Sequence, residues 1–211
     1  MKKILLLFSL LFLVVPFLRA QDFSSVPLSD SLFARMQGLS YPKGCTVARS
    51  DLRHVRVLHY DAEGEVHKGE LVCNKAIAQD LVDIFRKLYE ARYPIEKIRL
   101  IDEYSADDEQ SMRDNNTSSF CYRNVPGTTK LSKHAMGMAV DINTRYNPYV
   151  RKGKDGRQLI SPDNGRVYAD RSKSYPYKIV KGDLLYRLFI QHGFRWGGNW
   201  NTMKDYQHFE K

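Results

Sequence analysis

Two alternating stretches joined by a short turn most constrain the fold of this 211-residue chain. Apolar residues alternate with polar ones through much of residues 52–60 and 66–73, as expected for strands with one buried face. The intervening residues, 61–65, include Gly64, which suits a turn. The sequence therefore predicts an antiparallel β-hairpin.

Two helices are predicted by apolar periodicity and by their capping residues. The first runs from about residue 75 to residue 92; Asn74 can cap its start, and Pro94 stops it. The second begins at Asp183 and ends at Gly193. The inner faces of the two helices collect Ile77, Leu81, Ile84, Phe85 and Leu88, and Leu184, Leu185, Leu188 and Phe189.

Shorter strands are predicted at residues 95–104, 135–142 and 206–210, with long polar loops at residues 105–130 and 147–177. Strands and helices do not alternate as βαβ units. We therefore expect an α+β fold in which a central, mainly antiparallel sheet is flanked by helices. The length suffices for a single domain with its own core, which we assign to residues 21–211.

The first twenty residues have the pattern of a secretory signal peptide, with Lys2 and Lys3, an apolar run and a small residue, Ala20, at the cleavage point. We expect cleavage after Ala20, export to the periplasm or the extracellular space, and no stable membrane insertion. The formal charge of +9 would then fall to +6. Basic residues are interspersed with acidic ones and form no run, so the sequence gives no support to nucleic-acid binding.

The strand predicted at residues 135–142 has bulky side chains on only one face. Met138, Val140 and Ile142 would point to the core, and Gly137, Ala139 and Asp141 to the other side. The small residues leave space beside the Asp141 carboxylate, and His134 can bend over it from just before the strand. Because carboxylate and imidazole are ordinary Zn²⁺ ligands, this stretch predicts part of a zinc site.

A second imidazole, His208, completes the predicted site. Two imidazoles and one carboxylate leave a fourth zinc position open for water, as in catalytic sites. Asp205, three positions before His208, supplies a further carboxylate that can act as general base. We therefore predict one Zn²⁺ per chain bound by His134, Asp141 and His208, with Asp205 in the turn that enters the last strand.

These residues resemble a known family. The pattern S-x-H-x-x-G-x-A-x-D from Ser132 to Asp141, followed by carboxylate-x-x-His at Asp205 and His208, resembles the zinc D-Ala-D-Ala carboxypeptidases and L-Ala-D-Glu endopeptidases. The family shares its fold with the hedgehog signalling domain, and the resemblance extends over about residues 95–211. It implies a secreted zinc metallopeptidase, a hydrolase that cleaves peptide bonds in peptidoglycan stem peptides of the cell wall.

Two positions depart from the family pattern. Asp205 stands where many members have Glu, and residues 102–107 lack the Arg with which many members bind substrate. A guanidinium is still required by the anionic intermediate and by a terminal substrate carboxylate. Arg123 is the first candidate and Arg113 the second. The missing family Arg and the long polar loops favour internal cleavage at the L-Ala-D-Glu bond, whereas an Arg123 that reached the cleft would favour carboxypeptidase activity.

Three further side chains keep two interpretations each. Ser132 either binds substrate or shapes the turn, and Trp196 and Trp200 either wall the cleft or pack in the core. The alternative to an enzyme is a non-catalytic, hedgehog-like zinc-binding module. Asp205 argues against this alternative, because such a module has no use for an unligated carboxylate beside zinc. We expect the chain to act as a monomer.

The remaining histidines and the cysteines receive structural interpretations. A disulfide between Cys45 and Cys73 would join the predicted hairpin to the segment before it and leave Cys121 free. The hairpin histidines are expected at the solvent surface, and the last histidine at the C-terminal turn of a helix; these are His54, His59, His67 and His192.

Overall fold

The computed structural model describes residues 22–211, so the predicted signal peptide lies outside the described residues and remains a prediction. No helix among the described residues is long and apolar enough to cross a membrane. The described chain combines helices with short strands that are mostly antiparallel, which confirms the predicted α+β class.

The predicted hairpin is confirmed as the longest pair of strands. Strands β2 (Leu52–Tyr60) and β3 (Val66–Asn74) pair antiparallel over their full length. Strand β1 (Ser24–Pro27) adds to the free edge of β2, so the sheet has the order β1-β2-β3. Helix α1 (Asp30–Met36), capped by the Ser29 hydroxyl, lies between β1 and β2 in the chain.

Both predicted helices are confirmed, together with their caps. Helix α2 spans Lys75–Glu90, and the Asn74 side chain accepts a backbone N–H of its first turn at 3.0 Å. Helix α4 spans Leu184–Gln191, and Asp183 accepts in the same way at 2.7 Å. Gly193, with φ +82°, follows its end in the left-handed conformation that glycine adopts without strain.

The strand that carries Asp141 is shorter than predicted. Strand β6 (Ala139–Asp141) pairs with β11 (His208–Glu210), which pairs in turn with β9 (Arg195–Trp196), all antiparallel. Gly137 does not belong to β6, because it turns the chain with φ +65°. A Cβ there would lie 2.6 Å from the backbone nitrogen of Asn74. The small size of Gly137 therefore permits close packing against β3. The sequence had suggested instead that it left space beside a metal.

A hairpin occupies part of the region predicted as a long loop. Strands β7 (Tyr149–Lys152) and β8 (Gln158–Ser161) pair antiparallel, and β10 (Met203–Asp205) adds to the other edge of β7. Charged residues replace the apolar alternation that identifies most strands, which explains why the sequence did not reveal this hairpin. Asp205 thus ends a strand, whereas the sequence placed it in a turn.

The strand predicted at residues 95–104 is reduced to a short pair. Strand β4 (Lys97–Ile98) lies parallel to β5 (Asn116–Thr117), and a 3₁₀ turn at Ile101–Tyr104 follows β4. The Asp102 carboxylate in that turn accepts the backbone N–H of Ser40 at 3.1 Å. Within the predicted polar loop, helix α3 spans Asp108–Arg113.

The core has two parts; α2 and α4 contribute to the larger and α1 to the smaller. The larger part joins β2, β3, α2 and α4 to the β6-β11-β9 sheet through Val140, Ile142 and Phe209. The smaller part contains Leu32, Met36 and neighbouring apolar residues. Turns such as the one at Gly137 interrupt the strands, so the β-structure is divided among several small sheets where a central sheet had been expected.

The disulfide interpretation is wrong, because all three cysteines are free thiols. Cys73 is fully buried in the larger core cluster, whereas Cys45 packs at the margin of the smaller one. Cys121 is also buried, with its sulfur 4.0 Å from the Ala106 carbonyl oxygen. Burial raises the pKa of the Cys121 thiol to about 12, so the thiol stays protonated at neutral pH.

Candidate metal centre and active site

The fold brings His134, Asp141 and His208 together, as the sequence predicted. Asp141 and His208 face each other directly in the β6–β11 register, where opposite side chains lie about 5 Å apart. His134 lies in the turn that leads into β6, held by hydrogen bonds that include Gly137 N–H to the His134 carbonyl at 2.9 Å. Two of the positions are therefore set by strand pairing and the third by a tight turn.

The three side chains converge through particular atoms. Nε2 of His134 is 3.2 Å from Oδ2 of Asp141, and Nδ1 of His208 is 2.9 Å from Oδ1 of the same carboxylate. The two ring nitrogens are 3.2 Å apart. One atom from each residue lies within 4.8 Å of the others, so the group could hold a metal ion.

The outer nitrogen of each ring has its own partner. His134 Nδ1 lies 2.7 Å from the Ser119 carbonyl oxygen, and His208 Nε2 lies 3.4 Å from Oε2 of Glu210. Carbonyl and carboxylate oxygens only accept, so these two nitrogens carry the hydrogens. The inner nitrogens, Nε2 of His134 and Nδ1 of His208, face the Asp141 carboxylate and are the ones available to a metal ion. Such outer partners orient metal-binding histidines in general.

The site stabilises positive charge. Burial lowers the pKa of His208, but its hydrogen bonds to Asp141 and Glu210 outweigh burial and raise that pKa to about 10. Burial raises the pKa of Asp141, yet His134 and His208 hold it well below its usual range. Without a metal, the positive charge is the imidazolium proton that His208 Nδ1 donates to Asp141. A bound cation would replace this proton between the two inner nitrogens and the carboxylate. The donor set fits a metal such as zinc, which accepts nitrogen and oxygen ligands.

Asp205 lies beside this group and has the character expected of a base. Its Oδ1 atom is buried and has no hydrogen-bond partner among the described residues. Burial raises the pKa of Asp205 to about 6; the charge of Asp141 also raises it, and His208 opposes the rise. Close contact with Gly197 fixes its position, since a Cβ on Gly197 would lie 2.8 Å from Cβ of Asp205.

Arg123 also lies near the metal group, paired with a carboxylate that no sequence motif marks. Its Nε contacts Oδ2 of Asp108, the first residue of α3. Burial raises the pKa of Asp108, while Arg123 and then His134 lower it, which shows that this pair lies within electrostatic reach of the site. No local pattern distinguishes Asp108 from its acidic neighbours, because its proximity depends on how α3 packs.

Arg113, the second candidate, lies elsewhere. Its guanidinium is half-exposed and pairs with Glu109 at 3.2 Å and with Asp163 at 2.7 Å. These contacts join α3 to the 3₁₀ turn at Asp163–Tyr168. Within residues 22–211, no contact joins Arg113 to the metal group. Its ion pairs give it a structural role in joining α3 to that turn.

The contacts of Ser132 and of the two tryptophans decide between the two interpretations of each residue. The Ser132 hydroxyl accepts the Ala135 N–H at 3.1 Å, so it shapes the His134 turn. Trp196 is only 5% exposed and donates its indole N–H to the Tyr206 carbonyl, which places it in the core and not in the cleft. Trp200 is the tryptophan beside the site, with its ring centroid 5.4 Å from that of His208.

The other histidines do not join the metal group, but two were misplaced by the sequence. His54 and His59 are buried, where solvent exposure had been expected, because β2 is covered on both faces. His67 is exposed and contacts Asp61 at 2.7 Å, as expected of a surface residue. His192 ends α4 as predicted, 3.0 Å from Asp80.

The comparisons with known proteins agree with this geometry. The model of a family described as D-alanyl-D-alanine carboxypeptidase matches residues 126–211, which include His134, Asp141, Asp205 and His208. Searches of curated proteins and of solved structures found no match. The match begins after Arg123, so it carries no information on Arg123 or Asp108. Over residues 126–211, the chain is similar to the D-alanyl-D-alanine carboxypeptidase family of peptidases, which confirms the resemblance.

Proposed function

We propose that the chain is an exported zinc metallopeptidase that hydrolyses peptide bonds in peptidoglycan stem peptides, acting as a monomer in the periplasm or outside the cell. One observation carries this proposal. His134, Asp141 and His208 converge on one point, and Asp205 lies beside them with a buried Oδ1 atom that has no hydrogen-bond partner among the described residues. The family match over residues 126–211 supports peptidase chemistry.

The three convergent residues would hold the metal, and the neighbouring residues would carry out the proton transfers. A bound zinc ion would polarise the scissile carbonyl and lower the pKa of a water molecule. Asp205 takes a proton from that water on its carboxylate and passes it to the nitrogen of the leaving amine. Its raised pKa, about 6, suits both transfers near neutral pH.

Arg123 is proposed to bind negative charge on the substrate. Its contact with Asp108 uses only part of the guanidinium, which has five N–H donors. The remaining donors can stabilise the anionic oxygen that forms during hydrolysis, or a terminal carboxylate. A purely zinc-binding module would need neither this cation nor an unligated carboxylate at Asp205.

Two observations favour removal of a C-terminal D-Ala over internal cleavage. The family that matches is described as a carboxypeptidase. Arg123 pairs with Asp108, whose carboxylate lies within electrostatic reach of the metal group, and from there it can recognise a free terminal carboxylate. This reverses the preference for the L-Ala-D-Glu bond, which depended on the missing family Arg and on the long polar loops.

The proposed activity is tested by incubating residues 21–211, loaded with zinc, with purified muropeptides and identifying the products by mass spectrometry. We expect cleavage of the stem peptide, with D-Ala released from pentapeptides. Asp205→Asn is the matched inactive control. Intact muropeptides after incubation with the zinc-loaded wild type would contradict the peptidase proposal.

The cleaved bond is tested with a stem pentapeptide in two forms, a free acid and a C-terminal amide. A carboxypeptidase should lose about tenfold or more in rate on the amide, because a charge-assisted hydrogen bond contributes about 1.5–3 kcal/mol. An endopeptidase should cleave both forms at similar rates. Equal rates with an internal product would restore the L-Ala-D-Glu assignment and leave the zinc peptidase proposal intact.

A further inference from the structure

The surplus of positive charge is concentrated in one segment of the chain. Residues 149–181 contain nine Lys and Arg residues and three Asp. The rest of the described chain, residues 22–148 and 182–211, contains 21 basic and 21 acidic residues and is therefore neutral. The basic residues of the segment do not form a run, so the concentration emerges only when charges are counted by region.

The β7–β8 hairpin opens this segment and presents its cations to solvent. Arg151, Lys152 and Lys154 are all exposed. Among the described residues, none of these three side chains forms an ion pair with a carboxylate, whereas Arg157 of the same hairpin has Asp155 at 3.7 Å. Exposed cations without local counter-charges keep their full attraction for an external anion.

Strand pairing places this hairpin directly beside the candidate active site. In the β7–β10 register, Tyr149 lies opposite Asp205 and Arg151 opposite Met203. Residues that face each other across strands share one side of a sheet, and so do residues two apart. Arg151 therefore lies on the same side of the sheet as the proposed base, with Tyr149 between them.

The cations follow the hairpin. A cavity of about 490 Å³ among the described residues is lined by His59, Glu96, Arg145 and others, but by none of the three hairpin cations. Arg151 and Lys152 are neighbours in β7 and so point to opposite sides of the hairpin, and Lys154 lies in its turn. Cations spread in this way suit a linear polymer that passes around the hairpin better than a small anion. Phosphate and carboxylate groups share this chemistry.

We propose that the β7–β8 hairpin binds a linear polyanion that carries repeated phosphate or carboxylate groups, and so holds such a polymer beside the active site. The binding itself does not depend on catalysis. Its use in presenting an anionic wall polymer to the site rests on the proposed function.

Binding is measured by fluorescence anisotropy on residues 21–211, with labelled inorganic polyphosphate and labelled poly-glutamate at about 50 to 300 mM NaCl, a range over which phosphate contacts weaken strongly. The hairpin variant is Arg151→Gln/Lys152→Gln/Lys154→Gln. Its matched control, Lys43→Gln/Arg56→Gln/Lys87→Gln, removes the same charge from exposed positions elsewhere. Far-UV circular dichroism and thermal melting verify that each variant is folded.

We expect the wild type to bind at least one polymer, with an affinity that falls as salt rises. The hairpin variant should lose about tenfold or more in affinity at about 50 mM NaCl, and its salt slope should fall by roughly 2, since each cation releases a bound counterion. The control should stay within about twofold of the wild type. The polymer that binds more tightly identifies the anionic group.

Equal losses in the two variants would overturn the proposal, because net charge alone would then explain binding. Absence of binding to both polymers would also overturn it, including the case in which the protein binds anionic phospholipid vesicles instead. Since no bond is cleaved in these assays, their failure is separate from failure of the peptidase proposal. The same measurements on Asp205→Asn should give wild-type affinities.

Discussion

At the scale of single residues, replacing any one of His134, Asp141 and His208 by Ala should remove the metal. Each contributes one of the converging atoms, and two remaining ligands hold zinc far more weakly than three. Zinc content after dialysis, measured by atomic emission, should fall from about one per chain to below about 0.2. His67→Ala, which removes an exposed histidine outside the group, should keep its zinc. Full zinc content in all three variants would show that the site is elsewhere.

Asp205→Asn should behave differently from the ligand variants. The amide keeps the size of the side chain but cannot take a proton, so turnover should fall about a hundredfold or more while zinc content stays at the wild-type level. Hydrolysis of a stem peptide, followed by product mass, measures the rate. Asp163→Asn, which changes an exposed aspartate paired with Arg113, serves as the control. A wild-type rate in Asp205→Asn would assign the proton transfers to another group, with Glu210, whose Oε2 lies 3.4 Å from Nε2 of His208, as the next candidate.

The sequence revealed those side chains whose chemistry is carried by a local pattern. His134 and Asp141 lie within one turn and strand, and Asp205 and His208 lie within one short motif. The convergence of these four side chains could therefore be predicted. Asp108 could not be found in this way, because it is one of several acids and only packing brings it to Arg123. The place of Trp196 stayed open because an indole that walls a cleft and one that fills a core have the same sequence pattern.

At the scale of elements, helix ends were predictable and strand lengths were not. The caps Asn74 and Asp183 act on the next few residues, so the chemistry that starts each helix is visible in sequence. Strands depend on partners far away in the chain. The strand predicted at residues 95–104 pairs over only two residues. The β7–β8 hairpin forms although its sequence lacks the alternation of apolar and polar residues by which strands are predicted.

Gly197→Ala tests how one element positions the base. The added Cβ would lie 2.7 Å from the Asp205 carbonyl oxygen and 2.8 Å from its Cβ, so the strand that bears Asp205 must shift. We expect turnover to fall at least about tenfold with zinc retained, because displacement of a catalytic group by about 1 Å can cost a hundredfold. The two readouts are stem-peptide hydrolysis and zinc content.

The control for that variant is Gly38→Ala. Gly38 has φ +81°, and a Cβ added there would meet no atom within 4 Å, so alanine strains the backbone without touching the site. Melting temperature shows whether the two variants lose similar stability. If Gly38→Ala lost as much turnover as Gly197→Ala, general destabilisation would account for both.

At the scale of the whole molecule, His59 should make stability depend on pH. Its side chain is 3% exposed, and Nδ1 donates to the Ile95 carbonyl at 2.6 Å. Burial lowers the pKa of His59 to about 4 from an ordinary value of about 6.5. Between these values the unfolded chain binds a proton that the folded chain does not, so stability is lost as pH falls from about 6.5 to about 4.

His59→Asn should remove that part of the pH dependence. The Asn amide can still donate to the Ile95 carbonyl but does not titrate. Urea unfolding measures the free energy of unfolding at about pH 7 and about pH 4.5. Between these two pH values the wild type should lose about 2–3 kcal/mol more of that free energy than the variant does. Lys43→Asn, at an exposed position in a turn, should follow the wild type. Parallel losses in wild type and His59→Asn would mean that His59 is protonated in the folded chain.

A metal held by Asp141 and His208 would also act on the unfolded chain, because it joins two points 67 positions apart. Like a disulfide, such a link excludes many extended conformations and so lowers the entropy of the unfolded state. The closed loop contains the β7–β8 hairpin and α4. Removal of the ion would return that freedom to the loop. The supply of zinc would then govern how long residues 141–208 survive proteolysis as well as whether the protein can catalyse.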